Sequence, residues 1–411
     1  MPDSSPPTDG IDPTGTLPSA VRRPERPSPT SATKPAKRRG EPRRSCYRFA
    51  KSVTKFMARL LPRIDQLAFA DLVDKCHDAD FAAEFPANGA LLRQQRAGRS
   101  YWYYRGYAPA LDGRAPTRSL KYVGPAGDPD IERRVAAFGS IKADHRARRD
   151  LASRLRRAGL PAPLPFDGAV VAALARTGMF RLRAVLVGST AYQSYGGLLG
   201  VKLVAAHYAT EDVDVAQDFG VSLALDDQAA PVSEALRDVD PSFVPIEKWS
   251  DPGVATGFRN ARGFKVEFLT TRRGSPEHGD QAATLPALDI GAQALAFLDF
   301  LIREPVRSAL LHEAGVAVVV PAPNRFAVHK LIVAARRSEL AKSTKDVDQA
   351  AALIDAFEAT GRQFELREAF EEAWSRGPAW RSSLRAGLSR LPPRILQIAK
   401  SVLPRSATDD E

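Results

Sequence analysis

Cysteine is nearly absent from this chain, since only Cys46 and Cys76 occur in 411 residues. Neither a disulfide framework nor a cysteine metal site is therefore expected. Histidine is also scarce, and no pair shows the spacing of metal ligands; single histidines of this kind usually serve packing or lie at the surface. Among the six histidines are His145, His207, His278, His312 and His329.

Long apolar runs are missing as well. No stretch reaches the roughly 18 apolar residues that a membrane-spanning helix needs, and no basic segment followed by an apolar one indicates a signal peptide. We therefore expect a soluble, cytoplasmic protein with no membrane partner. The chain has 411 residues, of which 44% are hydrophobic, and no evident repeat. It is therefore long enough for two or three domains and a tail.

Residues 1–45 lack aromatic side chains but contain many prolines among serine, threonine and charged residues. Such a segment cannot bury enough apolar surface to offset the entropy of ordering, so we predict that it is disordered. Its later part, 34–44, is basic, which leaves two interpretations open: contact with nucleic acid, or a solvated tail without a role.

The most informative residues close an apolar run and follow it. Ala184–Val187 leads into Gly188 and Ser189, and Asp212 and Asp214 come later, one residue apart. In a strand, alternate side chains share a face, so both aspartates would point one way and the valines between them into the core. Two neighbouring carboxylates repel each other unless a cation lies between them. Oxygen ligands suit Mg²⁺, which proteins hold with one or two carboxylates plus substrate phosphates.

A third acid interrupts a later apolar strand. The segment 263–270 alternates like a half-buried strand, with Glu267 in its middle. A carboxylate in that position needs a partner.

An apolar strand, Gly-Ser, a helix, Asp-x-Asp and a later acid together resemble the nucleotidyltransferase-fold superfamily of the DNA-polymerase-beta type. The matching positions are Gly188, Ser189, Asp212, Asp214 and Glu267. Two features depart from the usual pattern: the interval from Ser189 to Asp212 is long, and the third acid is Glu rather than Asp.

About residues 90–350 are also similar to a bacterial branch of this superfamily, the AbiE-type nucleotidyltransferase toxins. The segments that carry this resemblance are Tyr101–Arg105, Lys121–Pro125, Thr210–Asp214, Pro321–Pro323 and His329–Leu331.

The resemblance implies an α+β fold, with a nucleotidyltransferase-type mixed sheet flanked by helices. We expect an N-terminal helix and β-hairpin region and a C-terminal helical region beside it. The predicted domains are the tail 1–45, an accessory region 46–160, a catalytic domain 161–323 and a helical domain 324–405.

The implied activity is transfer of a nucleoside monophosphate from a triphosphate such as ATP to a hydroxyl on RNA or tRNA, a protein or a small molecule. Asp212, Asp214 and Glu267 would hold two Mg²⁺ ions, with Mn²⁺ as an alternative, and Glu267 could take up the proton of the attacking hydroxyl. Gly188 would let the triphosphate approach the backbone, and Ser189 at a helix start would bind its phosphates.

The resemblance further implies a toxin-like role with a cognate antitoxin, which this sequence does not identify. A protein of another class remains as the alternative: a non-catalytic nucleic-acid-binding or regulatory protein that retains the fold.

Basic residues follow a predicted strand at 317–320. Pro321 and Pro323 would end that strand, and Asn324 would cap a helix that carries Lys330, Arg336 and Arg337. A second helix is predicted to begin near Lys345 and to bury Ala350, Leu353, Ile354 and Phe357.

By resemblance, Lys330, Arg336, Lys345 and Asp346 belong to the nucleotide site. Lys330 would contact the triphosphate, and Asp346 would hold a basic neighbour in place. A solvated charged face is the alternative for Lys330 and Arg337.

Two further segments suggest RNA binding. Two β runs, 100–107 and 119–123, form a candidate hairpin (100–123) rich in Tyr and Arg, and 131–158 forms a predicted Arg-rich helix. The net charge of +11 and pI near 9.7 favour a polyanionic partner. The alternatives are that half of the aromatic residues are core and that the helix is a solvated face.

The C-terminal segment, 324–403, is predicted to be mainly helical and to form one wall of a cleft against the catalytic sheet. Its expected core residues are Phe364, Leu366, Phe370, Trp374, Leu384, Leu388 and Ile395.

Overall fold

The computed structural model describes residues 58–80, 89–96, 99–108, 117–127, 129–203, 212–225, 228–248, 251–272 and 282–404. The tail 1–45 lies outside these residues, so its predicted disorder is not addressed. The predicted domain boundaries at 45, 160 and 323 stay predictions. Within the described residues, no helix combines the length and apolar character needed to cross a membrane.

The fold is α+β, as predicted. Its helices are α1 (Arg63–Asp80), α2 (Pro129–Arg157), α3 (Pro165–Arg176), α4 (Gly188–Leu199), α5 (Phe219–Ala224), α6 (Val232–Val239), α7 (Leu298–Leu301), α8 (Pro323–Arg336), α9 (Leu340–Ala359), α10 (Gln363–Ser375), α11 (Pro378–Leu388) and α12 (Pro393–Val402). Its strands are β1 (Arg59–Leu60), β2 (Ala90–Arg96), β3 (Arg99–Ala108), β4 (Thr117–Pro125), β5 (Val185–Val187), β6 (Val201–Lys202), β7 (Asp212–Gln217), β8 (Val244–Lys248), β9 (Asp251–Arg259), β10 (Lys265–Thr271), β11 (Ala283–Leu285), β12 (Ile290–Leu295), β13 (Val306–Leu310) and β14 (Val316–Val320).

A mixed seven-stranded sheet forms the centre, with strand order β11-β12-β10-β7-β5, while β9 pairs with β10 and β8 with β9. Strand β10 runs parallel to β7 and to β12. Strand β5 runs antiparallel to β7. Val213, Val215, Val266 and Phe268 have no exposed surface. The alternation expected from the sequence is therefore confirmed for β7, and it leaves the intervening acids on the opposite face.

The predicted hairpin is confirmed, but it is part of a larger sheet. Strands β3 and β4 pair antiparallel, and β2 adds a third strand along the other edge of β3. The extra strand was not predicted because its sequence, Ala-Leu-Leu-Arg-Gln-Gln-Arg, lacks the β-branched and aromatic residues that mark strands. The described sheet therefore has β3, the most aromatic strand, at its centre.

The predicted Arg-rich helix is α2. It buries Ala152 and Leu155 fully, in a cluster with Phe69 and Leu72 of α1. On its other side, Arg146, Arg149, Arg156 and Arg157 are exposed.

The C-terminal helices confirm most of the expected core, with Leu366, Phe370, Trp374, Leu384 and Ile395 buried. Phe364 was predicted to be core, but it is 62% exposed. It is the second residue of α10, at the end of the helix, where a large side chain can point away from the bundle.

Two predicted helix starts are wrong. Helix α8 begins at Pro323 with Ala322 as its N-cap, so Asn324 lies within the first turn and its amide instead donates to the Glu365 carbonyl at 2.9 Å. Proline suits the first helical position because its missing N–H would have no partner there. Helix α9 begins at Leu340 rather than near Lys345, whereas α4 begins at Gly188, so that Ser189 lies at a helix start as expected.

Candidate active site

Three strands bring the acidic residues together. In the parallel pairing of β7 and β10, Glu267 lies directly opposite Asp214, and Lys265 lies opposite Asp212. On its other edge, β7 pairs with β5, where Val187 is the partner of Asp214. Asp214 therefore sits between Glu267 and the end of β5, where the chain turns into α4.

Gly188 forms that turn, and its backbone leaves no room for a side chain. Its φ is +70°, and a Cβ at this position would lie 2.5 Å from Oδ2 of Asp214. Both the left-handed backbone and the close approach require glycine. The first turn of α4, with Ser189 partly buried beside Gly188, thus starts against the Asp214 carboxylate. Helix N-termini present unpaired N–H groups and a partial positive charge, which attract phosphates.

Burial and nearby negative charges shift the pKa of Asp214. Burial, followed by the negative charges of Asp212 and Glu267, raises the pKa of Asp214 to about 7, while Lys330 and Arg337 oppose the shift. A buried carboxylate is easily ionised only when positive charge compensates it. The two cations therefore do not cancel the effect of burial and of the neighbouring acids.

The basic residues are organised by Asp346 on α9. Its carboxylate pairs with Lys330 Nζ at 2.5 Å and with Arg337 Nε at 2.6 Å. The side chains of Lys330 and Asp346 are 9% and 3% exposed. The pKa of Lys345 is lowered first by burial and then by the positive charge of Lys330, while the negative charge of Asp212 raises it. Lys345 thus shares the environment of both the basic group and Asp212.

His329, the residue before Lys330, is part of the same environment. Its pKa is lowered to about 3, chiefly by burial and next by the charge of Lys330. The imidazole is therefore neutral across the physiological range. It adds no charge to the site.

Most of the predicted site residues thus lie in one environment. The structure joins Gly188, Asp212, Asp214, Glu267, Lys330, Lys345 and Asp346 by register, contact or electrostatic influence. Their roles in binding and catalysis stay predictions.

The guanidinium of Arg336, which was predicted to bind nucleotide, lies 5.1 Å from the centre of the Phe297 ring. Its neighbour Arg337 contacts Asp346. Arg336 is the last residue of α8, whereas Arg337 is the C-cap and has an extended backbone, with φ −77° and ψ 131°, so the point where the helix ends decides which arginine reaches Asp346. Sequence reasoning had placed Arg337 on the same helix without choosing it.

A second residue that the sequence analysis missed is Asp167, whose pKa is raised by burial and by the charge of Asp212. No motif surrounds it. The signal that could have found it is an acid shortly before an apolar run, residues 169–175.

The acidic residues Asp212, Asp214 and Glu267 are candidate ligands for a cation. Within the described ranges, no group of three or more His, Cys, Asp or Glu side chains has the geometry of a metal site. Mg²⁺, however, usually takes only one or two carboxylates and completes its shell with water and substrate phosphates. The donors here are all oxygen atoms, and burial together with the negative charges of Asp212 and Glu267 raises the pKa of Asp214. The acids therefore fit a hard divalent cation whose remaining ligands come from the substrate.

Comparison with known proteins gives one match. A family model described as nucleotidyltransferase matches residues 166–375, a range that contains the acidic strands, α4 and the Lys330–Asp346 pair. No curated protein and no solved structure matches the chain. The family model spans more than half of the sequence, and the protein therefore belongs to this nucleotidyltransferase family.

Proposed function

We propose that the protein is a Mg²⁺-dependent enzyme that transfers a nucleoside monophosphate from a nucleoside triphosphate to a hydroxyl group. Membership of the nucleotidyltransferase family supports nucleotidyl transfer in general. The observation that carries the more specific proposal is the register of β7 and β10, which sets Glu267 beside Asp214 at the glycine start of α4.

In the proposed reaction, the acceptor oxygen bonds to the α-phosphorus as the bond to the β-phosphate breaks, and pyrophosphate leaves. Asp212, Asp214 and Glu267 would hold the metal ions, which neutralise the charge that develops on the attacking and leaving oxygens. Glu267 accepts the hydroxyl proton directly or through water.

The triphosphate would extend from the acids toward the basic residues. The amides at the start of α4 and the Ser189 hydroxyl are suited to phosphate oxygens. Lys330 and Arg337 are held by Asp346, so their charges are already oriented before substrate binds. Such preorganised charge stabilises a transition state without further rearrangement.

RNA is the acceptor that we favour. The exposed arginines of α2 form a positive surface, and polyanions bind such surfaces through phosphate contacts. A toxin-like role with a cognate antitoxin is proposed on the resemblance alone.

The decisive experiment incubates the protein with each α-labelled nucleoside triphosphate and Mg²⁺, in parallel with total cellular RNA or total protein. Label should appear in one acceptor pool and disappear in Asp214→Asn. The matched control is Asp71→Asn, which removes an aspartate exposed on α1 and should transfer at the wild-type rate. No transfer with any triphosphate or acceptor would contradict the proposal and favour a non-catalytic nucleic-acid-binding protein.

A further inference from the structure

Asp167 is a buried carboxylate with no ion-pair partner among the described residues. It lies in the first turn of α3 and is 3% exposed. Its own backbone N–H donates to the side chain, but its Oδ2 has no hydrogen-bond partner. Burying an ionised carboxylate without a compensating charge is costly, so this position is suited to a cation.

Packing places Asp167 beside the acidic strands. Its neighbour Phe166 meets Phe264 edge to face, with ring centres 5.0 Å apart. Phe264 directly precedes Lys265, whose register partner is Asp212. The electrostatic effect of Asp212 on Asp167 agrees with this placement. Asp167 therefore adds a carboxylate near Asp212, and it comes from helix α3 rather than from β7 or β10.

A second aspartate in the same local setting behaves differently. Asp65 lies in the first turn of α1 and is also buried, at 8% exposed. It is paired with Arg154, whose Nε lies 2.9 Å from its Oδ1. Among the described residues, Asp65 therefore has a cationic partner, whereas Asp167 has none.

We propose that Asp167 is a fourth carboxylate of the active site and shares a divalent cation with Asp212. The inference rests on the proposed function, because it takes Asp212 as part of a cation site. Two carboxylates and the phosphates of a nucleotide are a sufficient ligand set for a Mg²⁺-sized ion. Asp214 has Lys330 and Arg337 within electrostatic reach, whereas a cation at Asp167 would come from solution.

The test measures binding of Mn²⁺ to the full chain, with free Mn²⁺ followed by electron paramagnetic resonance, in the presence of a non-hydrolysable triphosphate. We expect Asp167→Asn to lose one bound ion, or to bind it at least about tenfold more weakly, as changes around a metal commonly do. Asp65→Asn is the matched control and should bind Mn²⁺ as the wild type does, with circular dichroism reporting the fold of both. Asp167→Ser serves as a second variant with a residue suited to a helix start.

Unchanged Mn²⁺ number and affinity in both Asp167 variants would overturn the inference. A raised melting temperature with unchanged Mn²⁺ binding would overturn it too, since it would identify Asp167 as a buried acid that is stabilised by losing its charge. Failure of the wild type to bind any Mn²⁺ would overturn the proposed metal-dependent function as well. Wild-type binding that Asp214→Asn abolishes and Asp167→Asn preserves would leave the proposed function intact and reject Asp167 alone.

Discussion

The two charged halves of the candidate site are balanced in different ways. In the basic half, one buried carboxylate, Asp346, is paired with both Lys330 and Arg337. In the acidic half, burial and the charges of Asp212 and Glu267 raise the pKa of Asp214, although Lys330 and Arg337 oppose the shift. Protein stability alone favours the first arrangement, because a buried charge is costly unless it is compensated. The proposed divalent cation and nucleotide would balance the acidic half, whereas the basic half is preorganised within the fold.

The largest effect is expected from the acidic half. Asp214→Asn and Asp212→Asn should each abolish transfer, because each removes a proposed metal ligand, while the fold stays intact or becomes more stable as a repelling charge is lost. The measurement is label transfer beside thermal unfolding. Activity above about a tenth of wild type in both variants would contradict the two-metal mechanism, for which metal ligands are indispensable.

Glu267→Gln should separate catalysis from binding. Nucleotide should still bind through the two aspartates, while transfer falls by about a hundredfold or more, the range typical of lost proton transfer. Calorimetric titration with a non-hydrolysable triphosphate and Mg²⁺, run beside the transfer assay, checks both. If nucleotide affinity fell as far as it does in Lys330→Ala, Glu267 would have a role in binding rather than in proton uptake.

Changes in the basic half should weaken nucleotide binding, which Glu267→Gln should leave intact. A charge-assisted contact is worth roughly 1.5 to 3 kcal/mol, so Lys330→Ala should raise the nucleotide dissociation constant about tenfold or more. The matched control is Arg336→Ala, because Arg336 packs on Phe297, and its nucleotide affinity should stay near wild type. Undiminished binding in Lys330→Ala would exclude that lysine from the site.

The folding stability of the metal-free protein should depend on pH because of Asp214. The pKa of Asp214 rises from 3.8 in the unfolded chain to about 7 in the fold, so the folded state holds a proton that the unfolded state has lost. The resulting stabilisation is complete below about pH 4 and is lost as pH rises through 7.

Denaturant unfolding at pH 5 and pH 8 should therefore show a decline with pH that Asp214→Asn removes. Mg²⁺ with nucleotide should restore wild-type stability at pH 8, because a ligand that binds only the folded state stabilises it. An identical pH dependence in wild type and Asp214→Asn would contradict the assignment.

The smallest effect concerns arginines of α2, of which Arg146 and Arg149 are exposed and Arg148 is partly buried. Reversal of Arg146, Arg148 and Arg149 on α2 should weaken polynucleotide binding and flatten its salt dependence, since each lost phosphate contact removes roughly one released counterion. Nucleotide affinity in the absence of RNA should not change. If polynucleotide affinity and salt slope were both unchanged, α2 would be a solvated face and a protein or small-molecule acceptor would be favoured.

The local sequence predicted those parts of the site that depend on short-range rules. Alternation in β7 set Asp212 and Asp214 on one face, because a strand repeats every two residues. The Gly-Ser pair predicted the turn into α4, since glycine tolerates the positive φ that the turn requires. Helical periodicity likewise predicted that Leu353 and Phe357 are buried.

The errors arose where packing or a neighbouring residue overrode the local signal. Asn324 was a reasonable cap, but Pro323 occupies the first helical position, and the cap falls earlier. Phe364 was assigned to the core from its residue type, although the first turn of α10 leaves it exposed. Arg336 and Arg337 could not be told apart by sequence, because their difference depends on where α8 ends: Arg336 is its last residue, and Arg337 is its extended C-cap.

The sequence by itself determined the presence of an acidic strand pair followed by basic helices, because strand and helix periods are properties of short segments, and it implied the fold class through its resemblance to the nucleotidyltransferase fold. Tertiary structure alone decided that Glu267 lies opposite Asp214, that Asp346 joins Lys330 to Arg337, and that Asp167 on α3 comes under the charge of Asp212. These relations depend on strand register and on packing between segments far apart in the chain. No local pattern encodes them, since burial and the mutual field of charges exist only once those segments are assembled.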